Sequence, residues 1–139
     1  MRIILPDRLW IGNTHDLRDV QQTLSLGVQA IVDLAANESP VIYPRDAIYF
    51  RLPLNDGADN APALLRLAVL TTSELIRSRV PTLVACSAGM SRSVAIAAAA
   101  LAVAEKISPA DALRQITAAG PHDVAPALWV DVQQVVTGL

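Results

Sequence analysis

Residues 82–93 read Thr82-Leu83-Val84-Ala85-Cys86-Ser87-Ala88-Gly89-Met90-Ser91-Arg92-Ser93. Thr82–Ala85 has the length and apolar character of a buried strand, and Pro81 marks its start. Small residues follow Cys86. Near Arg92 an alanine-rich helix begins, and its apolar run from Val94 to Ala104 ends at Glu105-Lys106. A strand that ends in a tight loop and feeds a helix has a physical consequence. Successive backbone N–H groups of Ser87, Ala88, Gly89, Met90, Ser91 and Arg92 can curl around an anion, and the helix N-terminus adds positive potential. Gly89 permits a positive φ in so short a loop.

The flanking sequence supplies the layers around this unit. Ile3–Leu5 and Leu9–Ile11 read as two short strands about the Pro6-Asp7 turn. Asn13 or Thr14 caps a helix running to about Leu26, where Gly27 stops it. Ala30–Leu34 is a continuous apolar run, a buried strand. A polar loop spans residues 37–45, and Ala47–Leu54 is a further strand cut at Pro53. After the loop of residues 55–60, Asn60 caps a helix with Pro62 in its first turn, extending to about Arg79. Ser108-Pro109-Ala110-Asp111 starts another helix, Gly120-Pro121 ends it, and a last helix follows Pro126. Strands alternating early with helices, then mostly helices, predict an α/β fold: a central mixed sheet flanked by helices. Residues 1–139 form a single expected domain.

Composition narrows the function. The chain of 139 residues is 53% hydrophobic and 17% charged, with net charge −2. No Lys/Arg block is present, so neither nucleic acid nor an anionic membrane surface is an expected partner. Cys86 is the only cysteine, which excludes a disulfide framework and a thiolate zinc cluster. The N-terminal residues lack the apolar core of a signal peptide, and the apolar run at 94–104 is about half a membrane span. The expected location is a reducing cytoplasm.

Cys86 sits where the cradle would hold it beneath a bound phosphate. The loop N–H groups favour its thiolate. A thiolate so placed can attack phosphorus in line. Arg92 supplies a planar charged fork for two phosphate oxygens. Ser93 can donate a hydrogen bond to the sulfur when it must later leave. A lone cysteine after an apolar strand is ordinarily a buried core residue; Gly89, Arg92 and Ser93 at fixed offsets from it favour chemistry.

Cys86-x5-Arg92 with Gly89 and Ser93 resembles the signature loop of the cysteine-dependent protein tyrosine phosphatases, the dual-specificity branch above all. Leu9-Trp10-Ile11-Gly12-Asn13, followed by a helix and an apolar strand, is similar to that branch's N-terminus. The resemblance runs from about Ile3 to Ala119, strongest in the loop. It implies a phosphomonoester hydrolase acting through a phosphocysteine, with no cofactor or metal, on a phosphorylated protein carrying phosphoTyr or phosphoSer/Thr. It also implies an aspartic general acid about thirty residues upstream of the cysteine. Asp56 stands thirty residues before Cys86, and Asp59, at twenty-seven, competes for the role. A proton donor is needed because the leaving alkoxide or phenoxide must be protonated.

One position departs from the family. His usually precedes the cysteine; here it is Ala85, which donates no hydrogen bond, so a slower enzyme is expected. Ala85 also raises the alternative of a non-catalytic phosphate-binding module. A rhodanese-type sulfurtransferase likewise places a reactive cysteine in an amide cradle, but Arg92 and the upstream Asp favour phosphate. Elsewhere, His15 and His122 read as surface residues, Trp10 and Trp129 as packing residues, and Arg45 and Arg51 as solvated. Asp123 reaches the site only if the loop after Gly120 folds over it.

Overall fold

Backbone pairing accounts for where the loop ends up. A computed structural model describes residues 1–139. Five strands form one sheet: β1 (Arg2–Leu5), β2 (Leu9–Gly12), β3 (Ala30–Ala35), β4 (Ile48–Leu54) and β5 (Thr82–Ala85). Their order is β1-β2-β5-β3-β4. β1 runs antiparallel to β2, and the other pairs are parallel. The sheet is therefore mixed and flanked by helices, as the sequence predicts. β5 is central, with Ala85 in register with Gly12 of β2 and Asp33 of β3. Cys86 thus emerges at the carboxyl ends of the parallel strands, where open α/β sheets build their sites.

The helices are α1 (Thr14–Arg18), α2 (Val20–Ser25), α3 (Pro62–Arg77), α4 (Arg92–Glu105), α5 (Pro109–Thr117) and α6 (Pro126–Thr137). Every β5 residue is buried, so the strand lacks a polar face. Val84 and Cys86 join a core with Leu9, Val32, Leu65, Ile96 and Leu128. Leu83 and Ala85 point the other way, into a cluster with Trp10, Leu17, Val28 and Ile31. α4 is buried from Arg92 to Ala102 and packs against α3, α5 and α6. Its alanines let three helices approach one axis, which larger side chains would hold apart. No helix is long and apolar enough to cross a membrane.

Three expectations change. The helix expected over residues 14–26 breaks at Asp19, which ends α1 and caps α2 by accepting from Gln22 N–H at 3.3 Å. Pro53 does not cut its strand: β4 continues to Leu54, because an edge strand tolerates a missing N–H. Asn60 does not cap α3; the cap is Ala61, with no side-chain bond. Ser108 does cap α5, accepting from Asp111 N–H at 3.0 Å.

Candidate active site

The loop after β5 is stitched to the end of β2. Cys86 N–H donates to Gly12 O at 3.3 Å, and Thr14 N–H donates to Ser87 O at 3.1 Å. Gly89 has φ +71, and a Cβ there would lie 2.9 Å from Gly12 O. Both conformation and space therefore call for glycine. The backbone N–H groups of residues 87–92 donate to no protein acceptor. Six donors on one short loop at the head of α4 can form an anion cradle. Cys86 lies at its base, 3% exposed. Its Sγ is 3.1 Å from Ser93 Oγ, and Ser93 N–H donates to it at 3.5 Å.

Arg92 is 6% exposed, and its guanidinium is anchored along one edge. Nη1 donates to Asn37 Oδ1 and to Leu54 O, both at 2.9 Å. Nη2 donates to Ser87 Oγ at 3.1 Å. Nε is buried and has no partner. A buried cationic N–H without an acceptor is costly unless an anion completes it. Asn37 and Leu54 lie at the carboxyl ends of β3 and β4, so neighbouring parallel strands fix the guanidinium.

The segment of residues 55–60 closes on itself through Asn60. Its Oδ1 accepts from Asn55 N–H at 2.8 Å, and its Nδ2 donates to Asn55 O at 2.9 Å and Gly57 O at 3.3 Å. Asp56, exposed, is thereby carried to the cradle, where its Oδ1 accepts from Ser91 Oγ at 2.5 Å. Ser91 Oγ in turn accepts from Ala125 N–H at 2.9 Å. Asp59 is exposed at φ +71 and has no hydrogen bond to the cradle. The structure brings Cys86, Ser93, Arg92, Asp56 and the backbone of Ser87, Ala88, Gly89, Met90 and Ser91 together.

Several contacts escaped the sequence. Glu38 Oε2 lies 3.0 Å from Ser87 Oγ, and its Oε1 pairs with Arg18 Nη2 at 3.1 Å. Arg51 is not a freely solvated residue: Nη2 donates to Glu38 O at 2.8 Å, and Nη1 lies 3.6 Å from the fully buried Asp33. Tyr49 also donates to Asp33. Burial is the first cause raising the Tyr49 phenol, and burial likewise pushes the adjacent Tyr43 up to about 12. Arg2 donates to Gly89 O, and to Pro121 O at 2.5 Å. The loop after Gly120 does reach residues 87–92, since Asp123 N–H donates to Met90 O at 2.9 Å, but the exposed Asp123 carboxylate has no hydrogen bond to the site. No local pattern marks these residues, because their partners are distant in sequence. His15 and His122 are exposed, and Trp10 is buried.

A five-stranded mixed sheet with a strand–loop–helix cradle at its carboxyl edge is the fold of the dual-specificity phosphatases. Human DUSP28 superposes with TM-score 0.85 at 23% identity, covering 99% of this chain and 96% of that one. DUSP15 gives TM-score 0.76 at 22% identity, with 98% and 86% covered. The human tyrosine phosphatase-like serine/threonine/tyrosine-interacting protein gives 0.80 at 18% identity, with 96% and 93% covered. No protein-family model matches the sequence, and no curated protein matches it.

Proposed function

We propose that the chain is a phosphomonoester hydrolase of the protein tyrosine or dual-specificity type, working through a phosphocysteine. The observation that carries this reading is a set of unpartnered donors on the one loop that follows Cys86. Six loop amides and the buried Arg92 Nε have no protein acceptor, and the Cys86 sulfur lies at the base of their loop.

In the first step the Cys86 thiolate gives an electron pair to phosphorus, and the bond from phosphorus to the ester oxygen breaks. The leaving oxygen takes the electron pair of that bond and the proton of the Asp56 carboxyl. The loop amides and Arg92 hold the three equatorial oxygens, where charge accumulates. In the second step the Asp56 carboxylate takes a proton from water as the water oxygen attacks phosphorus. The sulfur–phosphorus bond breaks and returns its electron pair to Cys86, which Ser93 Oγ stabilises. The products are the free alcohol or phenol and inorganic phosphate.

The substrate is a phosphorylated protein side chain. Asp56 is the acid, since of Asp56 and Asp59 it alone bonds to the loop, through Ser91. A catalytically weak phosphate-binding module is the second reading. Ala85 favours it: the residue is fully buried in an apolar cluster and adds no donor behind Cys86. A similarly folded human protein also carries the name phosphatase-like. Hydrolysis of p-nitrophenyl phosphate across pH, with Cys86→Ser and Arg92→Lys beside wild type, separates the readings. Turnover abolished by both substitutions supports the enzyme. Tungstate binding without turnover at any pH supports the module.

A further inference from the structure

The cradle faces inward only because its carbonyls are held outward. In a planar trans peptide the C=O and the following N–H point in opposite directions. Three loop carbonyls are bonded from outside. Thr14 N–H takes Ser87 O, the Arg2 guanidinium takes Gly89 O, and Asp123 N–H takes Met90 O. Each contact turns the next amide, of Ala88, Met90 and Ser91 respectively, to the opposite side. Arg2 is the only side chain of the three clamps and the only charged one.

The surroundings are shaped for Arg2. Its second donor bond, to Pro121 O, ties the loop after α5 to the cradle. A Cβ on Gly120 would lie 2.5 Å from Arg2 Cδ, so glycine leaves the room that the arginine stem occupies. Burial lowers the Arg2 pKa, and the nearby Cys86 sulfur opposes that shift.

We infer that Arg2 is a positioning residue. It locks the Gly89–Met90 peptide with its amide turned to the anion, and it ties that peptide to the loop after α5 through Pro121 O. The inference deepens the phosphatase reading and rests on it only for turnover, since anion binding tests it separately.

The test compares Arg2→Met, Arg2→Lys and Gly120→Ala with wild type. Measured are tungstate affinity, kcat and KM for p-nitrophenyl phosphate, and the rate of Cys86 alkylation by iodoacetamide at mildly acidic pH. Arg2→Met is expected to weaken tungstate binding and lower kcat/KM by roughly ten- to a hundredfold, the scale of a misplaced reacting group. Alkylation is expected to slow with it. Arg2→Lys should recover part of both effects, because it keeps the charge and loses the two-pronged fork. Gly120→Ala should shift all three in the same direction while the arginine remains. Should Arg2→Met fail to fold, Arg2→Lys and Gly120→Ala decide. A folded Arg2→Met, or a Gly120→Ala, with wild-type tungstate affinity and alkylation rate overturns the inference and leaves the phosphatase reading standing. Wild type that binds tungstate without turnover overturns that reading and leaves the Arg2 comparison intact.

Discussion

Gly89→Ala isolates the demand the cradle makes on its backbone. The residue sits at φ +71, a conformation that costs a residue with a Cβ about 1–2 kcal/mol. The added Cβ would also lie 2.9 Å from Gly12 O and 3.0 Å from Gly12 C. These are backbone atoms, and Gly12 O already accepts from Cys86 N–H at 3.3 Å, so they cannot swing aside. Overpacking of this kind adds about 1–3 kcal/mol. The total is about 2–5 kcal/mol, which for a chain of this length lowers Tm by about 7–17 °C. Two other glycines separate the causes. Gly27 has φ +91 with nothing near its would-be Cβ, and Gly57 has open space without a positive φ. Gly27→Ala should lose only the conformational part, about 3–7 °C. Gly57→Ala should melt within about 2 °C of wild type. Thermal unfolding is measured with and without tungstate. Tungstate raises the wild-type Tm and leaves Gly89→Ala unmoved. A Gly89→Ala protein that melts like Gly57→Ala and still gains stability from tungstate refutes the reasoning.

Three further outcomes are expected. Asp56→Asn should lower kcat on an alkyl phosphate about a hundredfold or more, and less on p-nitrophenyl phosphate, whose leaving group needs little protonation; an equal or larger loss in Asp59→Asn moves the role. The Tyr43 phenol titrates near 10 in the unfolded chain and is pushed up to about 12 in the fold. The folded state holds that proton more tightly, so its contribution to stability is complete below the unfolded value and is lost as pH rises through the folded one. Urea unfolding at several alkaline pH values should show a shallower decline for Tyr43→Phe, with some slope remaining from Tyr49; an unchanged decline refutes the burial argument. Ala98→Leu inserts three carbons into the fully buried α4 and should lower Tm by about 3–10 °C, read by calorimetry.

Where one stretch of chain carries both pattern and punctuation, the fold is legible in the residues themselves. β5, the loop and α4 follow from an apolar run, a string of small residues and an alanine-rich segment. Ser108-Pro109 announces α5. The errors share one physical origin: a local signal that tertiary contacts redirect. Asn60 has the character of a helix cap, yet its amide meets more partners by closing residues 55–60. Pro53 reads as a strand breaker, and only its place on an edge strand makes it harmless. Asp19 interrupts a helical stretch that contains neither Pro nor Gly. In the candidate site, Cys86, Arg92 and Ser93 are visible because they occupy one short motif. Asn37, Glu38 and Arg2 are not, because each reaches the loop from a distant segment that pairing of the strands brings near. Arg51 reads as a surface cation, but β4 places it beside the buried Asp33 of β3.

The central claim is that Cys86 takes the phosphoryl group from the substrate. The measurement that meets it most directly is rapid acid quenching of the protein during turnover, followed by mass spectrometry of the peptide containing Cys86. With p-nitrophenyl phosphate as substrate, a phosphoryl group on Cys86 is expected to appear faster than steady turnover, to accumulate when Asp56→Asn slows hydrolysis, and to be absent from Cys86→Ser. Turnover that persists in Cys86→Ser, or a phosphoryl group found on another residue, would contradict it.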